Sequence, residues 1–262
     1  MPGIHSGSIT APIGGMDAGG IDRLFAADPD DLAPPAWKRA AEVASHLPRC
    51  FLSLGHLGPR GPVDGPPALV IPGFLATDRT TMELRRVLAA RGWRTHGWDM
   101  GSNRGAKRDT LVRLEQKLAA VHDPRGVLVV GWSLGGLFAR CLARAMPDKV
   151  RAVVTLGSPF SGDLKTNTNV RPLYEWVAGH RVDQPPFPWS ADKPPVPTLA
   201  LWSRRDGIVA ARGARGLPHE TDRSVEIGCN HVGMAVDHRA LARIADEIGA
   251  FLRDFEAAES QR

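Results

Sequence analysis

Cysteine is scarce in this chain. The 262 residues contain three, Cys50, Cys141 and Cys229. They are widely spaced, without metal-ligand spacing, and an odd number cannot pair completely. They read as reduced thiols, with a core that must hold without disulfides. Long apolar runs are also missing, and no stretch approaches the roughly 18 continuous apolar residues of a transmembrane helix. The first twenty residues are Gly-rich and have neither the charged start nor the apolar run of a signal peptide, so the expected compartment is the cytoplasm. Lys and Arg outnumber Asp and Glu, 33 to 28, but the arginines are scattered, with no basic arm and no aromatic–basic ladder. That pattern argues against nucleic acid as a partner and describes a solvated, Arg-rich surface with at most a mild attraction to anionic lipid.

What the chain does contain is ordinary for a water-soluble globular protein, 43% hydrophobic and 23% charged residues, over a length that suits one large α/β domain or two small ones. Short apolar strand patterns at 68–71, 93–98, 127–130, 150–156, 198–202 and 224–227 alternate with helix patterns at 80–91, 110–122, 134–146 and 241–255. Strands without polar alternation are covered on both faces, so the pattern predicts an α/β fold, a mostly parallel sheet of about six strands with helices on both sides. Ahead of it, residues 1 to about 20 read as a flexible tail. Residues 23–54 read as a helical extension that packs on the domain or serves as a weak membrane-surface or partner arm. A Gly- and Pro-dense linker follows, and the expected division is 1–66 for tail and extension and 67–258 for the main domain.

One stretch breaks the alternation. Residues 160–197 show no clean periodicity and carry seven prolines with Tyr174, Trp176, Phe187 and Trp189. A structureless loop of that length in a compact domain is usually functional or disordered. We read it as a lid, helical at 173–178, whose aromatics line an acyl or aromatic pocket together with Leu75 and Trp132.

The chemistry centres on residues 127–140, Val-Leu-Val-Val-Gly-Trp-Ser-Leu-Gly-Gly-Leu-Phe-Ala-Arg. A buried strand enters Gly131-Trp132-Ser133-Leu134-Gly135 and a helix leaves it, the strand–turn–helix context in which a Gly-x-Ser-x-Gly turn exposes a nucleophilic serine. A serine hydroxyl needs a base, and the base needs an orienting acid. Asp206 follows the end of the strand at 198–202, and His231 follows the end of the strand at 224–227, in the order Ser, acid, His. His219 and His238 are rivals for the base, and Asp237 is the second choice for the acid. An oxyanion would meet the backbone N–H of Leu134 and that of Phe74, which follows Gly73 in the loop after the first strand, with Leu75 as the fallback.

Five motifs occur in a fixed order: Val-Ile-Pro-Gly-Phe at 70–74, Gly-Trp-Ser-Leu-Gly-Gly at 131–136, Thr-Leu-Gly-Ser-Pro at 155–159, Asp-Gly-Ile-Val at 206–209 and Asn-His-Val-Gly at 230–233. On these residues the chain from about 69 to 255 resembles the α/β-hydrolase superfamily and, within it, the bacterial lipase and carboxylesterase branch. The resemblance implies ester hydrolysis through an acyl-enzyme, with Ser133 as nucleophile, His231 as base and Asp206 orienting it. It implies a small-molecule ester substrate, lipid-like in one version, and neither metal nor cofactor. The sequence departs from the family where Pro72 replaces a common histidine, and it lacks two early antiparallel strands. Transfer of the acyl group to another acceptor and amide hydrolysis would use the same triad, whereas a non-catalytic binding protein on this scaffold would be expected to lose one of its members.

Overall fold

Four apolar runs form the middle of one sheet, and two short polar strands form its edges. In chain order the strands are β1 (Pro67–Ile71), β2 (Arg94–Gly97), β3 (Val127–Trp132), β4 (Val150–Leu156), β5 (Thr198–Trp202) and β6 (Arg223–Glu226). They lie side by side as β2-β1-β3-β4-β5-β6, and every pair is parallel. This computed structural model describes residues 33–35, 37–38, 60–165 and 167–261. The expected tail, and all but those few residues of the expected N-terminal helix, lie outside them.

The helices are α1 (Met82–Ala90), α2 (Thr110–Val121), α3 (Leu134–Ala145), α4 (Arg171–Ala178), α5 (Ala211–Arg215), α6 (Gly233–Val236) and α7 (His238–Glu259). Successive strand side chains point to opposite faces. Ala68, Val70, Leu128 and Val130 therefore pack with Leu84 and Leu88 of α1 and Leu241, Ile244 and Ile248 of α7. Leu69, Ile71, Val127 and Val129 pack with Leu114 and Leu118 of α2 and Leu137, Phe138 and Leu142 of α3. Burial on both faces is why the central strands lack polar alternation. The edge strands, Arg-Thr-His-Gly and Arg-Ser-Val-Glu, are short and charged, which discourages pairing with another sheet.

Several boundaries differ from the sequence reading by a few residues. Strand β2 starts at Arg94 because the N–H of Trp93 is bonded to the carbonyl of Leu88 at the end of α1. Helix α7 starts at His238, three residues early, because the Asp237 side chain caps it by accepting from the N–H groups of Arg239 and Ala240. The short α5 and α6 were not expected. The sheet is wholly parallel among the described residues.

The strand order reverses between β1 and β3. The chain leaves β1 for β2 on one side and then returns to place β3 on the other. Loops leaving the two strands diverge there and open a crevice at the carboxyl ends of the sheet.

Candidate active site

Ser133 sits in that crevice, between the last residue of β3 and the first of α3. Its backbone has φ 54° and ψ −123°, a region that costs a non-glycine residue on the order of 1–3 kcal/mol. The neighbours hold it there. The Ser133 N–H donates to the Leu156 carbonyl at 2.8 Å, tying the turn to β4. The flanking glycines let three backbones meet: a Cβ on Gly131 would lie 2.3 Å from the Gly135 carbonyl oxygen, and one on Gly135 would lie 2.2 Å from that of Ile71. A Cβ on Gly136 would lie 1.9 Å from Ser158 Oγ.

Asp206 and His231 come from the loops after β5 and β6. His231 Nδ1 is 2.7 Å from Asp206 Oδ2, with both side chains almost fully buried. The other carboxylate oxygen accepts from the N–H groups of Ile208 and Val209, each at 2.8 Å. The buried charge is thus satisfied on one side by backbone, leaving the other side for the imidazole. With Nδ1 donating to Asp206, the neutral ring has its acceptor at Nε2. The two loops are joined directly, since Ser203 Oγ donates to the Cys229 carbonyl at 2.5 Å. Gly157, at the exit of β4 with φ 54°, leaves the pair its room: a Cβ there would lie 2.9 Å from Asp206 Oδ2 and 3.1 Å from His231 Nδ1. The rivals stand elsewhere: Asp237 caps α7, His238 is the exposed first residue of that helix, and His219 is exposed ahead of β6.

The loop after β1 lies against the elbow, and a Cβ on Gly73 would be 3.0 Å from that of Ser133. Among the described residues the N–H groups of Phe74 and Leu134 donate to no protein acceptor, and both residues line the cavity at Ser133. Leu75 is not a free donor. Its N–H is bonded to the Asn103 carbonyl at 2.7 Å, its φ is 61°, and its side chain is half exposed. Asn103 organises this loop. It is fully buried; its Nδ2 donates to the Pro72 carbonyl at 2.8 Å, its own N–H donates to the Ala76 carbonyl at 2.9 Å, and its Oδ1 accepts from Gly105 at 3.2 Å. The sequence shows only an Asn in a turn, with no signal that it reaches across to β1.

An apolar cavity of about 70 Å³ runs from Ser133 beneath residues 160–197. Tyr174, Phe187 and Trp189 line it with Phe74 and Leu134, as do Leu137, Phe138 and Cys141 of α3, which the sequence reading missed. Three expected pocket residues stand elsewhere. Trp176 is 81% exposed on the outer side of α4, because it lies nearly half a helical turn from the buried Tyr174. Leu75 is half exposed and points outward. Trp132 lies beneath His231, its ring centroid 5.5 Å away and its Nε1 donating to the His231 carbonyl at 3.1 Å, so it positions the imidazole from behind. Part of the segment at 160–197 is the helix α4, and the segment is tied down. Tyr174 Oη accepts from the Ala106 N–H at 3.3 Å, and His180 Nε2 lies 3.0 Å from the Ala106 carbonyl oxygen. Among the described residues no group of His, Cys, Asp and Glu is arranged to hold a metal, and no helix is long and apolar enough to cross a membrane.

Residues 69–204, more than half of the chain, match the family model described as the alpha/beta hydrolase fold. The pimeloyl-[acyl-carrier protein] methyl ester esterase of Sodalis glossinidius (strain morsitans) is 41% identical over 58 residues. That match spans about a fifth of this chain and 22% of that protein's length. An esterase structure from Rhizomucor miehei superposes with a TM-score of 0.59 at 16% identity, covering 89% of this chain and 94% of that one. The Bacillus subtilis carboxylesterase CesB superposes with a TM-score of 0.50 at 12% identity, covering 82% and 97%. At such identities the likeness is one of fold.

Proposed function

The chain belongs to the α/β-hydrolase fold family, and from that premise we propose that it is a serine hydrolase of carboxylic esters working through an acyl-enzyme on Ser133. The observation that carries the reading is the buried His231–Asp206 pair at 2.7 Å, set at the same sheet edge as a serine held at φ 54°. In this reading His231 Nε2 takes the Ser133 Oγ proton as the oxygen attacks the ester carbonyl carbon. The negative charge passes to the carbonyl oxygen, which the N–H groups of Phe74 and Leu134 receive. Collapse expels the alcohol, protonated by His231, and leaves the acyl group on Ser133. Water then repeats the sequence and frees the acid. Asp206 holds the imidazole in its working tautomer and offsets the charge it gains.

The acyl group occupies the apolar cavity, so the substrate is a small-molecule ester with a hydrophobic acid part, and no cofactor enters the scheme. The same reading keeps a cytoplasmic compartment and a lid at about 160–197 within a domain at 67–258. Turnover of p-nitrophenyl esters tests it. Ser133→Ala should lose activity by about 10⁴-fold or more while keeping the wild-type melting curve. Wild-type turnover in that variant would move the nucleophile elsewhere.

A further inference from the structure

One wall of the cavity beside Ser133 runs along α3. Leu134, Leu137, Phe138 and Cys141 form one stripe of α3 along its wall, as spacings of three and four residues require. From position 133 to 141 the helix advances about 12 Å, at about 1.5 Å per residue. Pro185, Phe187 and Trp189 supply the opposite wall, with the Phe187 ring edge-on to Phe138 at 6.0 Å. Arg171, at the start of α4, is the one charged residue on the wall among the described residues.

Where this wall reaches Cys141, it meets chain that α3 itself holds. Cys141 Sγ lies 3.9 Å from the Pro188 carbonyl oxygen. Just beyond, Arg140 donates to the carbonyls of Ala191 at 2.7 Å and Asp192 at 2.9 Å, and Arg144 donates to those of Ser190 and Asp192. Arg140 is fully buried, with its guanidinium 4.2 Å over the Phe160 ring. Hydrogen bonds from a charged donor are the strong ones, so the closure is built into the fold.

A slot that begins at a nucleophile and is blocked about 12 Å on measures its ligand. An extended hydrocarbon advances about 1.25 Å per carbon, from a C–C bond of about 1.5 Å, so this depth holds about eight to ten carbons. Resting on the acyl-enzyme reading, we infer that the substrate is an ester of an unbranched acid of about eight to ten carbons. Its chain lies along α3, and its methyl end stops at Cys141. Burial pushes the Cys141 thiol up to about 11, so at neutral pH it is an uncharged, compact wall atom.

The test uses the full chain, Cys141→Phe and Cys141→Ser, with p-nitrophenyl esters from acetate to palmitate. The wild type and Cys141→Ser should show the highest kcat/KM at octanoate to decanoate. Cys141→Phe should lower the decanoate-to-acetate ratio of kcat/KM about tenfold or more, the scale of removing room for a few methylenes. If Cys141→Phe does not fold, Leu137→Phe, nearer Ser133, should cut the profile at still shorter chains. Calorimetry of decanoate binding to Ser133→Ala, with and without Cys141→Phe, reads the slot without catalysis. Esters turned over with a profile indifferent to both phenylalanines would overturn the inference and leave the hydrolase standing. Decanoate binding blocked by Cys141→Phe, without turnover of any ester by the wild type, would overturn the hydrolase and with it the ester substrate, leaving only an acyl-binding slot. Neither turnover nor binding would remove both.

Discussion

The floor of the cavity and its roof depend on side-chain bonds to different degrees. The floor is made of strand-end loops fixed largely by backbone. Ser133 N–H is bonded to Leu156, Gly157 N–H to Leu201, and the Asp206 carboxylate takes the N–H groups of Ile208 and Val209. The roof, residues 160–197, has backbone ties at its two ends, such as Ser161 N–H to Gly213, Asn169 N–H to Ile208 and Val153 N–H to Pro197, but between them it is held by side chains reaching main-chain groups, among them Arg140, Arg144, Tyr174 and His180. The difference has a consequence for each part. A floor that shifts by an ångström loses its reaction geometry, whereas a roof that loosens changes what fits and leaves the reacting atoms in place. Asn103 stands at the border, one buried side chain holding a piece of the floor.

The largest effect should follow Asp206→Asn. The amide can hold the ring in the wrong tautomer and cannot offset its charge, so kcat should fall about 10⁴-fold with little change in KM. A mild effect on folded protein would detach Asp206 from the chemistry. Asn103→Ala comes next. It releases Pro72 and leaves the Phe74 N–H poorly aimed, which should lower kcat about ten- to a hundredfold, less than complete loss of an oxyanion donor. Its reaction with a fluorophosphonate should slow in parallel. A lowered melting temperature with unchanged kcat would make Asn103 purely structural.

The smallest effect on chemistry should come from the roof. In Arg140→Met the carbonyl of Ala191 loses its donor and that of Asp192 keeps only Arg144, and acetate-ester turnover should stay within about threefold, as expected of a change that spares the reacting geometry. The roof should loosen measurably all the same. Iodoacetamide at pH 8 should reach Cys141 faster than in the wild type, where burial keeps the thiol protonated until the pH nears about 11. The raised value also means that the stability contributed by this neutral thiol is complete below about 9, its unperturbed value, and is lost as the pH rises toward about 11. Equal loss of acetate and decanoate turnover in Arg140→Met would show that floor and roof are not separable.

The same division governs what the sequence discloses. The central strands can be read almost to the residue because burial on both faces removes the polar alternation. Helices α5 and α6, five and four residues long, are too short to show a period. Asp206 and His231 can be found because each follows a strand end, and order along a parallel sheet becomes proximity at its edge. Asn103, the grip of Trp132 on the backbone of His231, and Cys141 at the cavity's end depend on contacts between distant segments. No local pattern encodes these. Leu75 and Trp176 mislead for a related reason: apolar character marks a candidate for lining, but backbone φ and helical phase decide which way each side chain points.

The most direct test of the account is the site of fluorophosphonate labelling, located by mass spectrometry of the modified peptide. The reagent reacts with a serine that has a working base and oxyanion hole. The account predicts adduct on Ser133 in the wild type, and none in Ser133→Ala or in folded His231→Ala. Adduct on another residue, or undiminished labelling of Ser133 without His231, would contradict it.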